Sequence, residues 1–406
     1  MINVAILGFG VVGSGTAALI TENADVIKNK IGEEVYVKRI LDLRDFPDSP
    51  FADRITHDIN DIVADPEISI VCELIGGLHP AYEFTVAAMN AGKSVVTSNK
   101  EIVATFGVEL LEIAARNGVH YMFEAAVGGG IPVLRPLAED VAVVNAIERV
   151  DGILNGTTNY ILTQMKENGA SFADALSGAQ KNGYAEADPS ADIEGKDTCR
   201  KICILGAIAF GKLVDVSSVS TVGITGVTLS DIENAEKMGY SVKLIGSAFK
   251  DAEGRIVELV RPCFVPHGTP LAPVSDVFNG ISVRGNYVGD VMFYGRGAGS
   301  EPTASAVASD VARIAGGAAV AVAPWTPAAD NEVGDPSAVP ALYYVCADTD
   351  SVIDVEKHFG AIGKLVTDNG SVCIVLREKV TLSELKEKIA AAGSSFAVSS
   401  VIEVLG

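Results

Sequence analysis

The chain has 406 residues, 48% of them hydrophobic, and a formal net charge of −21 at neutral pH. Such a length allows two or three domains with ample cores, and acidity spread along the whole chain argues against nucleic acid and anionic membrane as partners. No apolar stretch has the length and flanks of a membrane helix. Met1-Ile2-Asn3 leads straight into a strand, leaving no room for a signal peptide. The six cysteines (Cys72, Cys199, Cys203, Cys263, Cys346, Cys373) lack C-x-x-C spacing, so neither a zinc site nor a disulfide framework is expected. A soluble enzyme of the reducing cytoplasm is the ordinary reading.

The first strand, Val4–Leu7, runs into Gly8-Phe9-Gly10-Val11-Val12-Gly13 and then an apolar helix. This order of strand, glycine turn and helix is the dinucleotide fingerprint. Gly8 takes the turn, Gly10 lets the backbone approach a pyrophosphate, and Gly13 lets helix and strand pack closely. The free N–H groups at the helix start then face the phosphates. Phe9 and Val12 belong to the same loop.

Further strands are predicted at Val35–Leu41, Ile68–Leu74, Ser94–Thr97 and His120–Phe123, with helices between them that include Pro80–Ala91 and Glu101–Asn117. Short apolar strands alternating with helices predict a Rossmann-type, doubly wound domain over residues 1–135. The glycine-rich stretch Val127–Pro132 marks a boundary, and residues 136–300 read as an α+β domain. Within it a strand, Val150–Leu154, precedes Gly156-Thr157-Thr158-Asn159, and a long helix is predicted around Asp197–Phe210. Gly295-Arg296-Gly297-Ala298-Gly299 then introduces a small-residue helix, at about 302–318, expected to return to the first domain. Residues 316–339 read as a linker. Residues 340–406 alternate strand, helix, strand, strand, helix, strand, the order of a small ferredoxin-like module.

Three clusters carry chemistry. Asp197 and Lys201, four residues apart, share a helix face. Upstream, Gly183, Glu186 and Asp192 lie in a loop interrupted by Pro189 that has room to turn back on that face. The second cluster, Thr97-Ser98-Asn99-Lys100, follows a strand of the first domain, where loops line the ligand crevice. The third runs from Glu124 through Val127, Gly129 and Ile131. One carboxylate among small residues suits either a hard monovalent cation or a tight hinge.

The run Gly183-Tyr184-Ala185-Glu186-Ala187-Asp188-Pro189, with Asp192, Gly195, Asp197 and Lys201, resembles the signature of the homoserine dehydrogenases. Gly152–Tyr160, Asn99-Lys100 and Gly128–Pro132 are similar to further segments of that family, and the likeness spans nearly all of residues 1–320. It implies reversible, NAD(P)-dependent hydride transfer between L-homoserine and L-aspartate 4-semialdehyde, on the route to threonine and methionine. By this resemblance Lys201 is the proton-relay lysine and Lys100 a second active-site lysine. Glu186 and Asp197 would hold the polar ends of the substrate, and Asp192 would bind it or orient Lys201. Glu124 with the carbonyls of Val127, Gly129 and Ile131 would hold a structural, sodium-like cation. Gly297 and Gly299 would close over the cofactor. Residues 136–300 become the catalytic and dimerisation domain of a homodimer or homotetramer, and 340–406 an ACT-like regulatory module. That module departs from the ACT pattern at Asp348-Thr349-Asp350-Ser351-Val352, which lacks the usual Pro-Gly after the first strand.

Strand Val35–Leu41 ends in Asp42-Leu43-Arg44. An acid there suits the ribose hydroxyls of NAD and an arginine the 2′-phosphate of NADP. Both are present, and Lys38, Arg39 and Arg44 together lean the reading to NADP. Aspartate-semialdehyde dehydrogenase, a rival enzyme, needs an activated thiol, and no cysteine here lies in a glycine-rich catalytic loop. A nucleotide- or amino-acid-sensing regulator, the rival from another class, has no need of both Lys100 and Lys201.

Overall fold

A computed structural model describes residues 1–319, 322–368 and 370–406. The chain divides into two compact units. The first comprises Met1–Ala146, Cys203–Ser217 and Phe293–Ala328; the second comprises Ile147–Ile202, Ser218–Met292 and Ala329–Gly406. This division runs differently from the expected boundaries, because residues 203–217 and 293–300 fall with the first unit.

In the first unit, six parallel strands pair in the order β3-β2-β1-β4-β5-β6. They are β1 (Ile2–Leu7), β2 (Val35–Leu41), β3 (Ile55–Thr56), β4 (Ile68–Glu73), β5 (Ser94–Thr97) and β6 (Tyr121–Met122). Val4 to Leu7 are all buried, as a sheet covered on both faces requires. Helix α1 (Val11–Glu22) follows the glycine turn, and α2 (Lys100–Asn117) follows β5. The small-residue helix runs over Ser300–Ala315 and adds Ala306, Val307, Ala308 and Val311 to the core of Val4, Ile6, Ala17 and Ile20. Its small residues explain the close fit: a Cβ on Gly15 of α1 would lie 2.5 Å from Ser300 Oγ, and the Ser300 hydroxyl donates to the Val11 carbonyl at 2.7 Å. The expected linker is less open than its composition predicts. Trp325 is buried edge-on against Phe123, and Thr326–Pro327 pair with Lys212–Leu213; residues 320 and 321 lie outside the described residues.

The second unit is built on β7 (Ile147–Ile153), β8 (Tyr240–Lys250), β9 (Ile256–Pro266) and β10 (Phe278–Gly285), with β11 (Gly289–Arg296) belonging to it up to Met292. Helices α3 (Gly156–Asn168) and α4 (Lys196–Phe210) carry the conspicuous motifs. The C-terminal segment has β12 (Leu342–Ala347), a helix Val352–Phe359, β13 (Ile362–Asp368), β14 (Ser371–Leu376), a helix Leu382–Ala392 and β15 (Val398–Val404). One sheet runs β11-β10-β7-β8-β9-β15-β12-β14-β13. The junction is the parallel pairing of β9 with β15, Cys263 opposite Glu403 and Phe264 opposite Val404, reinforced by an Arg261–Glu403 ion pair.

The expectation of no disulfide is corrected here. Cys346 and Cys373 stand opposite each other on antiparallel β12 and β14 and are joined as a disulfide. They are 27 residues apart in sequence, and only strand register makes them neighbours.

Candidate active site

The phosphate side is made of backbone. Gly8 has φ +93°, and a Cβ on Gly13 would lie 1.9 Å from the Gly8 carbonyl oxygen. A Cβ on Gly10 meets nothing within 4 Å, so the start of α1 is open to a pyrophosphate. Gly297 lies against Gly129, where a Cβ would come 2.5 Å from the Gly297 carbonyl carbon. Asp42, just past β2, accepts the Phe9 N–H at 2.8 Å, so the acidic residue is tied to the turn itself. It also accepts the Arg44 guanidinium at 3.0 and 3.1 Å. The Arg44 hydrogen bond, ahead of the Phe9 amide, holds the Asp42 pKa down at about 2. The Arg44 guanidinium lies 5.0 Å over the Phe46 ring and stays exposed. These groups fit a dinucleotide with its adenosine ribose beside Asp42 and Arg44. Lys38 takes no part, because its ammonium is held at 2.6 Å by Asp65 and at 2.6 Å by Glu67, just ahead of β4 at the amino ends of the strands.

Asn99 opens α2. Its side-chain oxygen accepts the Glu101 and Ile102 N–H groups at 3.1 and 3.3 Å, which sets Lys100 in the first turn of the helix at the carboxyl end of β5.

The second unit holds a cluster made of side chains. Lys201 Nζ donates to Asp197 Oδ2 at 2.7 Å and to the Leu154 carbonyl at 2.7 Å. Both side chains are nearly buried, at 10% and 6% exposure, so water screens the pair far less than a surface pair. Asn155, the residue after Leu154, was missing from the expected set. Its Oδ1 caps α3 by accepting the Thr158 N–H at 2.8 Å. Its Nδ2 donates to Asp197 Oδ2 at 2.8 Å and to Asp192 Oδ1 at 2.7 Å. A single amide therefore bridges the two carboxylates and fixes their spacing. Burial, with a lesser contribution from the neighbouring Asp197 charge, raises the Asp192 pKa.

Glu186 stands apart from this cluster: its side chain is exposed, and the segment is fastened through backbone, with Gln180 donating to the Glu186 carbonyl at 3.2 Å and the Thr157 hydroxyl to that of Tyr184 at 2.6 Å. Gly183, with φ +75°, is exposed at the same turn. The structure thus brings together Asp192, Asp197 and Lys201 but leaves Glu186 at the surface.

Glu124 is fully engaged. One oxygen accepts the N–H groups of Val133 and Leu134 at 2.6 and 2.9 Å; the other accepts the Arg135 N–H at 2.9 Å and its Nε at 3.3 Å. Four donors fill the lone pairs of a carboxylate, so a cation bound to this group does not fit the arrangement. The carboxylate instead anchors the chain after Ile131. Among the described residues no group of three or more His, Cys, Asp or Glu is placed to hold a metal ion.

The cysteines outside the disulfide, Cys72, Cys199, Cys203 and Cys263, are all buried, and burial pushes the Cys72 and Cys263 thiols well above their usual range. None has the environment of a catalytic thiolate. Among the described residues no helix is long and apolar enough to cross a membrane.

A family model described as "Homoserine dehydrogenase, NAD binding domain" matches residues 8–124, and one described as "Homoserine dehydrogenase" matches residues 132–312. The homoserine dehydrogenase of Synechocystis is 43% identical over 322 residues, 78% of this chain and 73% of that protein. The crystal structure of the Thiobacillus denitrificans enzyme superposes with a TM-score of 0.87 at 37% identity, covering 100% of this chain and 98% of that one. A hyperthermophilic archaeal homoserine dehydrogenase in complex with NADPH gives a TM-score of 0.65 at 28% identity over 77% of this chain and 97% of that one. With the glycine turn, the Asn99-Lys100 helix start and the buried Asp197–Lys201 pair in place, the conclusion follows that this chain belongs to the homoserine dehydrogenase family.

Proposed function

We propose that the chain interconverts L-homoserine and L-aspartate 4-semialdehyde, with Lys201 as the proton-transfer residue. The carrying observation is the buried lysine held by Asp197 and the Leu154 carbonyl. The nicotinamide, when bound, supplies or takes up the hydride at C4. In the reducing direction the Lys201 ammonium gives its proton to the carbonyl oxygen as that oxygen gains charge, and in the oxidising direction the neutral amine takes it back. Asp197 favours the charged lysine, and Asn155 holds Asp197 in place. The acidity of Asp192 and Asp197 suits the substrate ammonium, and Glu186 would join them when the substrate is bound. Lys100 serves as a second active-site lysine on the cofactor side. Asp42 accepts the ribose hydroxyls, and Arg44, stacked and exposed, favours NADP. No step passes through a cation at Glu124.

The C-terminal segment reads as an ACT-like regulatory module: its sheet order, last strand, first, third, second, is the ferredoxin-like one. We also read the protein as a homo-oligomer paired through the central sheet, and as cytoplasmic. Initial rates of nicotinamide reduction with L-homoserine, run with NAD and with NADP, test the function. Reduction with a higher kcat/KM for NADP is expected. No rate with either cofactor would overturn the reading.

A further inference from the structure

Glu73 ends β4 and is fully buried, in a place where a carboxylate is costly unless its oxygens are satisfied. One oxygen accepts the Ile75 N–H at 2.7 Å and the other the Thr97 hydroxyl at 2.6 Å. Thr97 Oγ1 accepts the Asn99 N–H at 2.9 Å. Asn99, whose oxygen caps α2, turns its Nδ2 back to the Ile75 and Gly77 carbonyls at 2.9 and 2.7 Å. These bonds close a ring that ties the loop after β4 to the loop after β5. The loop after β4 also walls the glycine turn, since a Cβ on Gly8 would meet the Leu74 carbonyl oxygen at 2.9 Å.

The ring needs an acceptor without a donor at position 73. A carboxylate obliges the Thr97 hydroxyl to donate, which leaves a Thr97 lone pair for the Asn99 N–H. An amide aimed at Thr97 would reverse that bond and strip the hydroxyl proton of its acceptor. Flipped, it would set N–H against N–H at Ile75. Burial raises the Glu73 pKa to about 7, so the carboxylate that the ring requires is the prevailing form above that pH, where the variants are compared. No chemistry described above uses it.

We propose that Glu73 is a positioning residue for hydride transfer: through Thr97 and Asn99 it fixes the first turn of α2, and with it Lys100, against the loop beside the glycine turn. The inference rests on the reading of Lys100 as an active-site lysine.

The test compares the full-length chain with Glu73→Gln, Thr97→Val, their double variant and Thr97→Ser. It measures kcat, the KM for homoserine, the Kd of the reduced cofactor by its fluorescence, and amide hydrogen exchange at Asn99, Lys100 and Glu101. Misplacement of a catalytic lysine predicts a loss of about ten- to a hundredfold in kcat for Glu73→Gln. The cofactor Kd should stay within about threefold, because the substitution removes no group of the glycine turn itself. The double variant should be no worse than the poorer single one, since both break one chain of bonds. Thr97→Ser should keep the wild-type rate, and exchange at the three amides should quicken in Glu73→Gln. A kcat within about twofold of wild type for that variant, or equal losses of kcat and cofactor affinity with unchanged exchange, would overturn the proposal. If wild type shows no homoserine-dependent turnover, the functional reading fails separately. Exchange and cofactor binding then still decide whether Glu73 positions the loop.

Discussion

The candidate functional groups of the two units are made from different materials. In the first unit the phosphate side is backbone: Gly8 in a left-handed conformation, Gly13 with no room for a Cβ, and an open helix start at Gly10. In the second unit the proposed chemistry rests on a side-chain cluster, with Asn155 bridging Asp192 and Asp197 and Asp197 holding Lys201. Backbone sites depend on which residues permit a conformation, whereas side-chain sites depend on partners that must all be present. Substitutions at the glycine turn and at Arg44 should therefore act on cofactor affinity, and substitutions in the side-chain cluster on turnover.

The sharpest break is Asp197→Ala. It leaves the Lys201 ammonium buried without its counter-charge, which lowers the lysine pKa and loosens the side chain. A fall in kcat of about 10²–10³ is expected in steady-state assays, within the range of general acid–base contributions. Asn155→Ala should be milder. It removes the cap of α3, worth about 1 kcal/mol in urea unfolding, and should lower kcat by about tenfold as the two carboxylates lose their common donor. Arg44→Ala sharpens the other side. It should weaken NADP by about tenfold while leaving NAD within about twofold, the size expected for one charge-assisted contact. A parallel loss with both cofactors would mean that Arg44 acts only by holding Asp42.

The smallest effect concerns pH. Asp42 has its pKa lowered in the folded chain to about 2, so its contribution is complete above the ordinary carboxylate range and is lost as the pH falls through about 2. Glu73 and Asp310 are shifted the other way by burial, each to about 7. The folded chain then binds more protons than the unfolded one between the ordinary carboxylate range and about 7, so stability should decline as the pH rises through that window. Urea midpoints measured between acidic and neutral pH check the sign, and Glu73→Gln should flatten the slope.

What the sequence disclosed follows the same divide. The glycine turn was legible residue by residue, because each glycine answers a local backbone demand. The Asp197–Lys201 pair was legible because helical spacing puts both on one face. Asn155 shows a local signal as the helix-opening Asn before Gly156-Thr157-Thr158, but its carboxylate partners lie 37 and 42 residues downstream. Glu73 lies unremarked inside the expected strand Ile68–Leu74, and its partner Thr97 is 24 residues away across the parallel sheet. The Cys346–Cys373 disulfide was hidden by register for the same reason. Glu186 shows the opposite limit: its motif is strong, yet a motif alone does not say on which side of a turn the carboxylate lies, and here it is exposed.

The most direct measurement is a pair of numbers for one variant: kcat for L-homoserine oxidation and the Kd of the reduced cofactor for Lys201→Ala, beside wild type. The account predicts a kcat lower by about 10³ or more with the cofactor Kd nearly unchanged. A variant that turns over at close to the wild-type rate, or one whose loss lies in cofactor affinity, would contradict it.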